Sequence, residues 1–103
     1  MRQLMIVLAA ALVAAPAAAS TPAAWKKLQQ QAERSCIEAS DLGRPRVSNM
    51  IVFDDKVGVV AILVTGMFRQ PRLKGASGTN LCLYNRLTRK AAIEEAKGWG
   101  ERP

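Results

Sequence analysis

Cys36 and Cys82 are the only cysteines in this chain of 103 residues. A bond between them would close a loop of about 47 residues, worth roughly 4 kcal/mol of stability in the chain-entropy model. That is comparable to the whole stability of a small domain. No CxxC motif is present, so a pair of redox-active or metal-binding thiols is the less favoured interpretation. We therefore predict one structural disulfide between these cysteines.

The first 19 residues have the pattern of a cleaved secretory signal peptide. Arg2 supplies the positive charge, residues 4–15 form an uninterrupted apolar run, and Pro16 precedes small residues that end at Ala19. A membrane span needs about 20 apolar residues, and this run is shorter. We predict that residues 20–103 form a single small α+β domain without a transmembrane segment. This domain would be periplasmic or secreted, where disulfides persist.

The segment after the signal peptide favours an amphipathic helix. Thr21 is a suitable N-cap and Pro22 suits the first helical position. Gly43 and Pro45 provide a stop signal. Residues spaced by three or four positions would share one buried face: Trp25, Leu28, Ala32, Cys36 and Ala39. The predicted disulfide would therefore join the buried side of this helix to another element.

The rest of the chain predicts an antiparallel meander. Residues 46–53 and the apolar residues 57–68 predict two strands, and residues 80–86 predict a third. Residues 90–97 favour a helix by composition, but a strand there would complete the meander. We predict an α+β fold in which one N-terminal helix packs on a three- to four-stranded antiparallel meander with one disulfide. This element order resembles that of the cystatin-like small α+β folds, although the QxVxG motif of cystatin inhibitors is absent.

Side chains of the third predicted strand alternate between the two faces of the sheet, which places two leucines on the face away from the helix. Cys82 and Tyr84 would point toward the helix, so Leu81 and Leu83 would lie on the opposite face. An apolar face of that kind needs a cover, which a second copy, the tail of the chain or a partner protein could supply. Trp99 lies between two glycines and is suited either to fold back on that face or to anchor an interface. We predict Leu81, Leu83 and Trp99 as interface candidates.

The chain is basic, with a formal charge of +7, and one long interval of it contains cations without acidic residues. No acidic residue lies between Lys56 and Glu94. The candidates for anion binding flank the third predicted strand: Arg69, Arg72, Lys74, Arg86, Arg89 and Lys90. Arginine can contact a phosphate or carboxylate through two N–H groups. In a simple meander the two loops lie at opposite ends of the sheet, and charges that only keep the domain soluble are the alternative interpretation.

The absence of histidine restricts the chemistry open to this chain. It excludes Ser-His and Cys-His dyads, and it leaves no ligands for a common zinc site once the cysteines pair. The adjacent carboxylates, residues 54–55 and 94–95, would diverge if they lie in extended backbone. We expect no enzyme activity, no cofactor and no metal. The cations are not interleaved with aromatic residues, so no nucleic-acid partner is expected either.

These features predict an exported, non-enzymatic binding or accessory module of a bacterial-type cell envelope. In one version, the apolar sheet face engages a protein partner. In the other, the basic loops engage an anionic envelope component such as phospholipid or lipopolysaccharide. The alternative function is a small structural homodimer that uses the same apolar face and has no ligand of its own.

Overall fold

A computed structural model describes residues 21–73 and 75–100. The predicted signal peptide, residues 1–19, and Lys74 lie outside the described residues. The described chain begins with helix α1 and continues with strands that a short 3-10 helix (Pro71–Leu73) interrupts. The bounds are α1 (Pro22–Ser40), β1 (Gly43–Val47), β2 (Ile51–Val52), β3 (Val59–Met67), β4 (Ser77–Asn85) and β5 (Ala91–Glu95).

Helix α1 begins as the sequence predicted and ends slightly earlier. The Thr21 hydroxyl accepts a hydrogen bond of 3.0 Å from the backbone N–H of Ala24, and Pro22 follows directly. The helix ends at Ser40 because Asp41 adopts a left-handed conformation with φ of 51° and closes the last turn. Gly43, predicted as part of the stop signal, is already the first residue of β1.

All strands belong to one antiparallel sheet with the order β1-β3-β4-β5, and β2 also pairs with β3. Strands β1 and β2 lie end to end along β3, so the five strands fill four positions. The predicted first strand is therefore divided into two short strands. Strand β5 pairs with β4 along its whole length, and the predicted strand in the tail replaces the alternative helix. The predicted α+β meander with one packed helix is confirmed.

Strand β1 contains a bulge at the point where the chain enters the sheet after the helix. Gly43 pairs with Met67 and Arg46 pairs with Thr65, so β1 holds one residue more than the facing stretch of β3. Opposite the bulge, a Cβ atom on Gly66 would come within 2.7 Å of the Gly43 carbonyl oxygen. Only glycine permits this close approach of the two backbones.

Helix α1 covers one face of the sheet, and the core lies between them. Buried side chains come from both layers: Ala32 and Cys36 of the helix, Val60, Ile62 and Val64 of β3, and Cys82 and Tyr84 of β4. The Cys36–Cys82 disulfide crosses this core, with the two Cα atoms 5.8 Å apart. The predicted disulfide is confirmed, and it fits an oxidising compartment. Among the described residues, no helix has the length and apolar character needed to cross a membrane.

The buried stripe of α1 is shorter than the sequence predicted. Trp25 is 42 % exposed and Ala39 is also exposed. The helix has 19 residues and is therefore about 28 Å long. Helix α1 contacts elements at both edges of the sheet, β1 and β5. The helix residues that pack on the core lie between Leu28 and Cys36, so Trp25 and Ala39 nearer the two ends remain accessible to water.

Candidate functional site

The sheet face opposite α1, here called the open face, has no cover among the described residues. Leu83 on this face is 37 % exposed, whereas its neighbour Tyr84 on the helix side is buried. Leu83 lies beside Ala61 of β3, and Leu81 lies beside Leu63. The predicted orientation of the two leucines is confirmed, and their role as interface residues remains a prediction.

One half of the open face is apolar and concave. A depression of about 640 Å³ is lined mainly by apolar side chains: Ile51, Phe53, Leu63, Leu81, Leu83 and Trp99. Ile51 is 65 % exposed although it lies within the sheet. Small soluble proteins rarely leave contiguous apolar surface of this kind in contact with water unless it binds something.

Trp99 lies at the rim of this depression. Its backbone N–H donates to the Ala96 carbonyl oxygen at 3.2 Å, and the N–H of Ala96 donates to the Thr79 carbonyl oxygen at 2.9 Å. The positive φ of Gly98, 72°, lets the chain turn back toward Leu81. The indole nevertheless remains 66 % exposed. The tail therefore folds toward the open face, which was one of the two roles predicted for Trp99. It does not cover the depression.

The other half of the open face is polar and basic. The hydroxyl oxygens of Thr65 and Thr79 lie 3.2 Å apart across β3 and β4. Arg44 and Arg46 of β1 border a smaller depression of about 330 Å³ beside Thr65 and Met67. Neither arginine forms an ion pair with a residue that the structure describes. The sequence prediction missed both, and the only signal was their alternation around Pro45 in a short strand.

Opposite charges flank the open face. Arg46 lies on the β1 edge, where it pairs with Thr65 of β3. Glu94 lies on the β5 edge, where it pairs with Leu81 of β4. Both side chains are exposed, and Glu94, like Arg46, has no ion-pair partner within residues 21–73 and 75–100. The face therefore has an apolar half and a polar half, with unpaired arginines on its β1 edge and an unpaired glutamate on its β5 edge.

Arg69, one of the predicted anion-binding residues, contacts the end of the helix. Its Nε atom lies 3.1 Å from a carboxylate oxygen of Asp41 and donates to the Asp41 carbonyl oxygen at 3.2 Å. Its Nη2 atom donates to the Leu42 carbonyl oxygen at 3.3 Å. These contacts join the loop after β3 to the C-terminus of α1.

Arg86 has a similar structural position at the other end of the sheet. It donates to the carbonyl oxygens of Phe53 and Asp54 at 3.2 and 3.3 Å, and it lies 3.3 Å from the Asp55 carboxylate. The guanidinium therefore fixes the turn between β2 and β3 against the end of β4. Arg69 and Arg86 both use some of their guanidinium N–H groups in contacts within the protein, so fewer remain to bind a ligand.

The remaining predicted cations do not form one patch. Arg72 is exposed in the 3-10 helix before β4, whereas Arg89 and Lys90 are exposed in the turn after β4. Lys74 belongs to the first of these loops but lies outside the described residues. The two loops are at opposite ends of β4, as the meander predicted, so their side chains cannot converge on a single anion.

The carboxylates are also separated. Asp54 accepts a hydrogen bond of 3.3 Å from the Val57 backbone N–H in the turn, while Asp55 faces Arg86. Glu94 and Glu95 are consecutive residues of β5 and point to opposite faces of the sheet. Within the described part of the chain, no group of three or more residues is placed to hold a metal ion.

The chain matches no protein-family model, and neither a curated protein nor a solved structure matches it. Function must therefore be argued from the residues of this chain. A fold by itself would not specify function, because one small α+β fold can carry many different sites.

Proposed function

We propose that this chain is an exported, non-enzymatic binding module of the cell envelope, and that its open face engages a protein partner. The observation that carries the proposal is the apolar depression of about 640 Å³ on a sheet face that no described residue covers. Each square ångström of apolar surface removed from water contributes about 25 cal/mol. Covering this face would therefore be strongly favourable.

The shape of the depression favours a protein over a small molecule. Sites for small molecules usually enclose most of the ligand surface. This depression is instead spread over several strands and opens along the sheet, with Phe53 and Trp99 among its lining residues. Aromatic side chains are enriched at the centres of protein interfaces, where they contribute much of the binding energy.

The basic loops are a weaker candidate for the binding site. Arg69 and Arg86 contact backbone carbonyl oxygens and carboxylates of the protein. The other predicted cations with described positions are divided between the two ends of β4. An anionic phospholipid or polysaccharide would therefore meet two separate groups of charges rather than a site.

Export is supported by two independent features. The disulfide between Cys36 and Cys82 requires an oxidising compartment to form and persist. The first 19 residues have the pattern of a signal peptide. The periplasm and the extracellular space both fit these features, and either would give the mature domain access to envelope proteins.

A site-specific photo-cross-linker tests the proposal in cells that make the full chain. Benzophenone-alanine would replace Leu83 on the open face, or Gln30 on the exposed side of α1 as the matched control. We expect discrete covalent adducts from position 83 after irradiation and none from position 30. Equal labelling from both positions, or no adduct from position 83, would show that the open face has no protein partner. Melting temperatures of the two purified variants check that both fold.

A further inference from the structure

We infer that the protein partner of the open face is a second copy of this chain, packed face to face about a two-fold axis parallel to β3 and β4. This inference rests on the proposed function, because it uses the same surface. It goes further by identifying the occupant and its orientation. Two properties of the face select that axis independently: its polarity along the strands and its charges across them.

The first property is the change in polarity along the strands. The apolar half contains Leu63 and Leu83, and the polar half contains Thr65, Thr79 and Arg46. Two identical sheets can stack face to face about an axis either perpendicular or parallel to the strands. A perpendicular axis would place the polar half of one copy on the apolar half of the other, which would bury polar groups without partners. A parallel axis places the apolar halves on each other.

The second property is the opposite sign of the unpaired charges on the two edges. Arg46 is on the β1 edge and Glu94 is on the β5 edge. Rotation about an axis parallel to the strands exchanges the edges, so Arg46 of each copy meets Glu94 of the other. In the direction of the strands, the two side chains are offset by two residues, about 7 Å. The long arginine side chain can span that distance. A perpendicular axis would keep each charge on its own edge, so Arg46 of one copy would not meet Glu94 of the other.

A single two-fold rotation therefore buries the apolar halves against each other and pairs Arg46 of each copy with Glu94 of the other. Four strand positions and the nine residues of β3 give a face of about 19 by 30 Å. The flat area, about 570 Å², is below the roughly 800 Å² per partner of a standard interface. We therefore expect a reversible dimer whose Kd is in the micromolar range, on the order of 1–100 µM.

Sedimentation equilibrium of the oxidised mature chain, residues 20–103, tests this inference over about 1 µM to 1 mM. The native chain should change from monomer to dimer across that range. Arg46→Glu or Glu94→Arg alone should raise Kd at least about tenfold, because each creates two like-charge contacts. The double variant R46E/E94R should restore Kd to within about threefold of the native value, since it only exchanges the charges.

The exposed helix charges Arg34 and Glu38 provide the matched control. They lie on the layer that packs against the other side of the sheet, so Arg34→Glu and Glu38→Arg should leave Kd unchanged within about threefold. Leu83→Lys should abolish the dimer because it places a charge in the apolar half. Circular dichroism and the absence of free thiols establish that each variant is folded.

Four outcomes would overturn the inference. A monomer at every concentration, with adducts from position 83 to another protein, excludes the second copy but leaves the proposed function intact. A dimer that the double charge exchange does not restore has a different axis. A dimer that persists in Leu83→Lys uses another surface, such as the β5 edge. A monomer without adducts from position 83 would contradict the proposed function as well.

Discussion

The two faces of the sheet are built from the same strands but differ in what covers them. In β3, Val60, Ile62 and Val64 point toward α1 and are at most 1 % exposed. Ala61 and Leu63 alternate with them and point to the open face, where they are only partly buried. Both sets are apolar, so composition does not distinguish them. The difference teaches that burial in a small domain depends on which face receives the helix and the disulfide.

Removing the disulfide should have the largest effect, because it holds the covered face together. The double variant C36A/C82A should lose about 4 kcal/mol of unfolding free energy. For a domain of this size that loss leaves little net stability. Urea denaturation followed by circular dichroism measures it. The reduced native protein should unfold at nearly the same urea concentration, and a double variant as stable as the native chain would contradict the prediction.

Neighbouring residues of β3 provide a sharper test of the comparison. Ile62→Ala removes a buried side chain from the covered face and should cost about 3 kcal/mol, mostly through the cavity left behind. Leu63→Ala removes a similar side chain from the open face and should cost less than about 1 kcal/mol, because water already reaches the site. Both are measured by urea denaturation at a protein concentration below the dimer Kd. Equal losses would mean that the open face is covered in the monomer.

Local patterns in the sequence were sufficient for much of the fold. The cap at Thr21, the pairing of Cys36 with Cys82 and the alternation around Leu83 each depend on chemistry within a few residues or on a simple count. The split of the first strand was not predicted. It depends on how residues 48–50 leave the edge of β3, which is decided by tertiary contacts rather than by propensity.

The candidate site could be predicted only in part, because several of its features depend on strand register. Arg46 belongs to the open face because it pairs with Thr65, and the bulge in β1 determines that pairing. The partners of Arg69 and Arg86 are about 30 positions away in sequence. A count of cations between acidic residues carries no information about such contacts, so the sequence did not predict them for either arginine.

Arg69 and Arg72 allow a comparison of two cations in one loop. Arg69 contacts the end of α1 in the covered layer, whereas Arg72 is only exposed. Arg69→Ala should cost about 1 kcal/mol, because it removes two hydrogen bonds to backbone carbonyl oxygens at the end of α1 together with an exposed ion pair. Arg72→Ala, in the same loop, should change stability by less than about 0.5 kcal/mol. Thermal denaturation compares the two. Equal effects would show that the contacts of Arg69 contribute nothing beyond its charge.

The smallest effect on stability should come from Ile51, the most exposed of the apolar strand residues that line the depression. Ile51→Thr keeps a β-branched side chain in β2, so it should change the unfolding free energy by less than about 0.5 kcal/mol. The same substitution reduces the apolar surface of the depression, so fluorescence of the dye ANS bound to the native protein should fall. Lys27→Thr on the exposed side of α1 is the control and should leave the fluorescence unchanged. A fall in fluorescence without a loss of stability would show that Ile51 belongs to an accessible apolar surface and not to the core. Unchanged fluorescence would mean that the dye binds elsewhere.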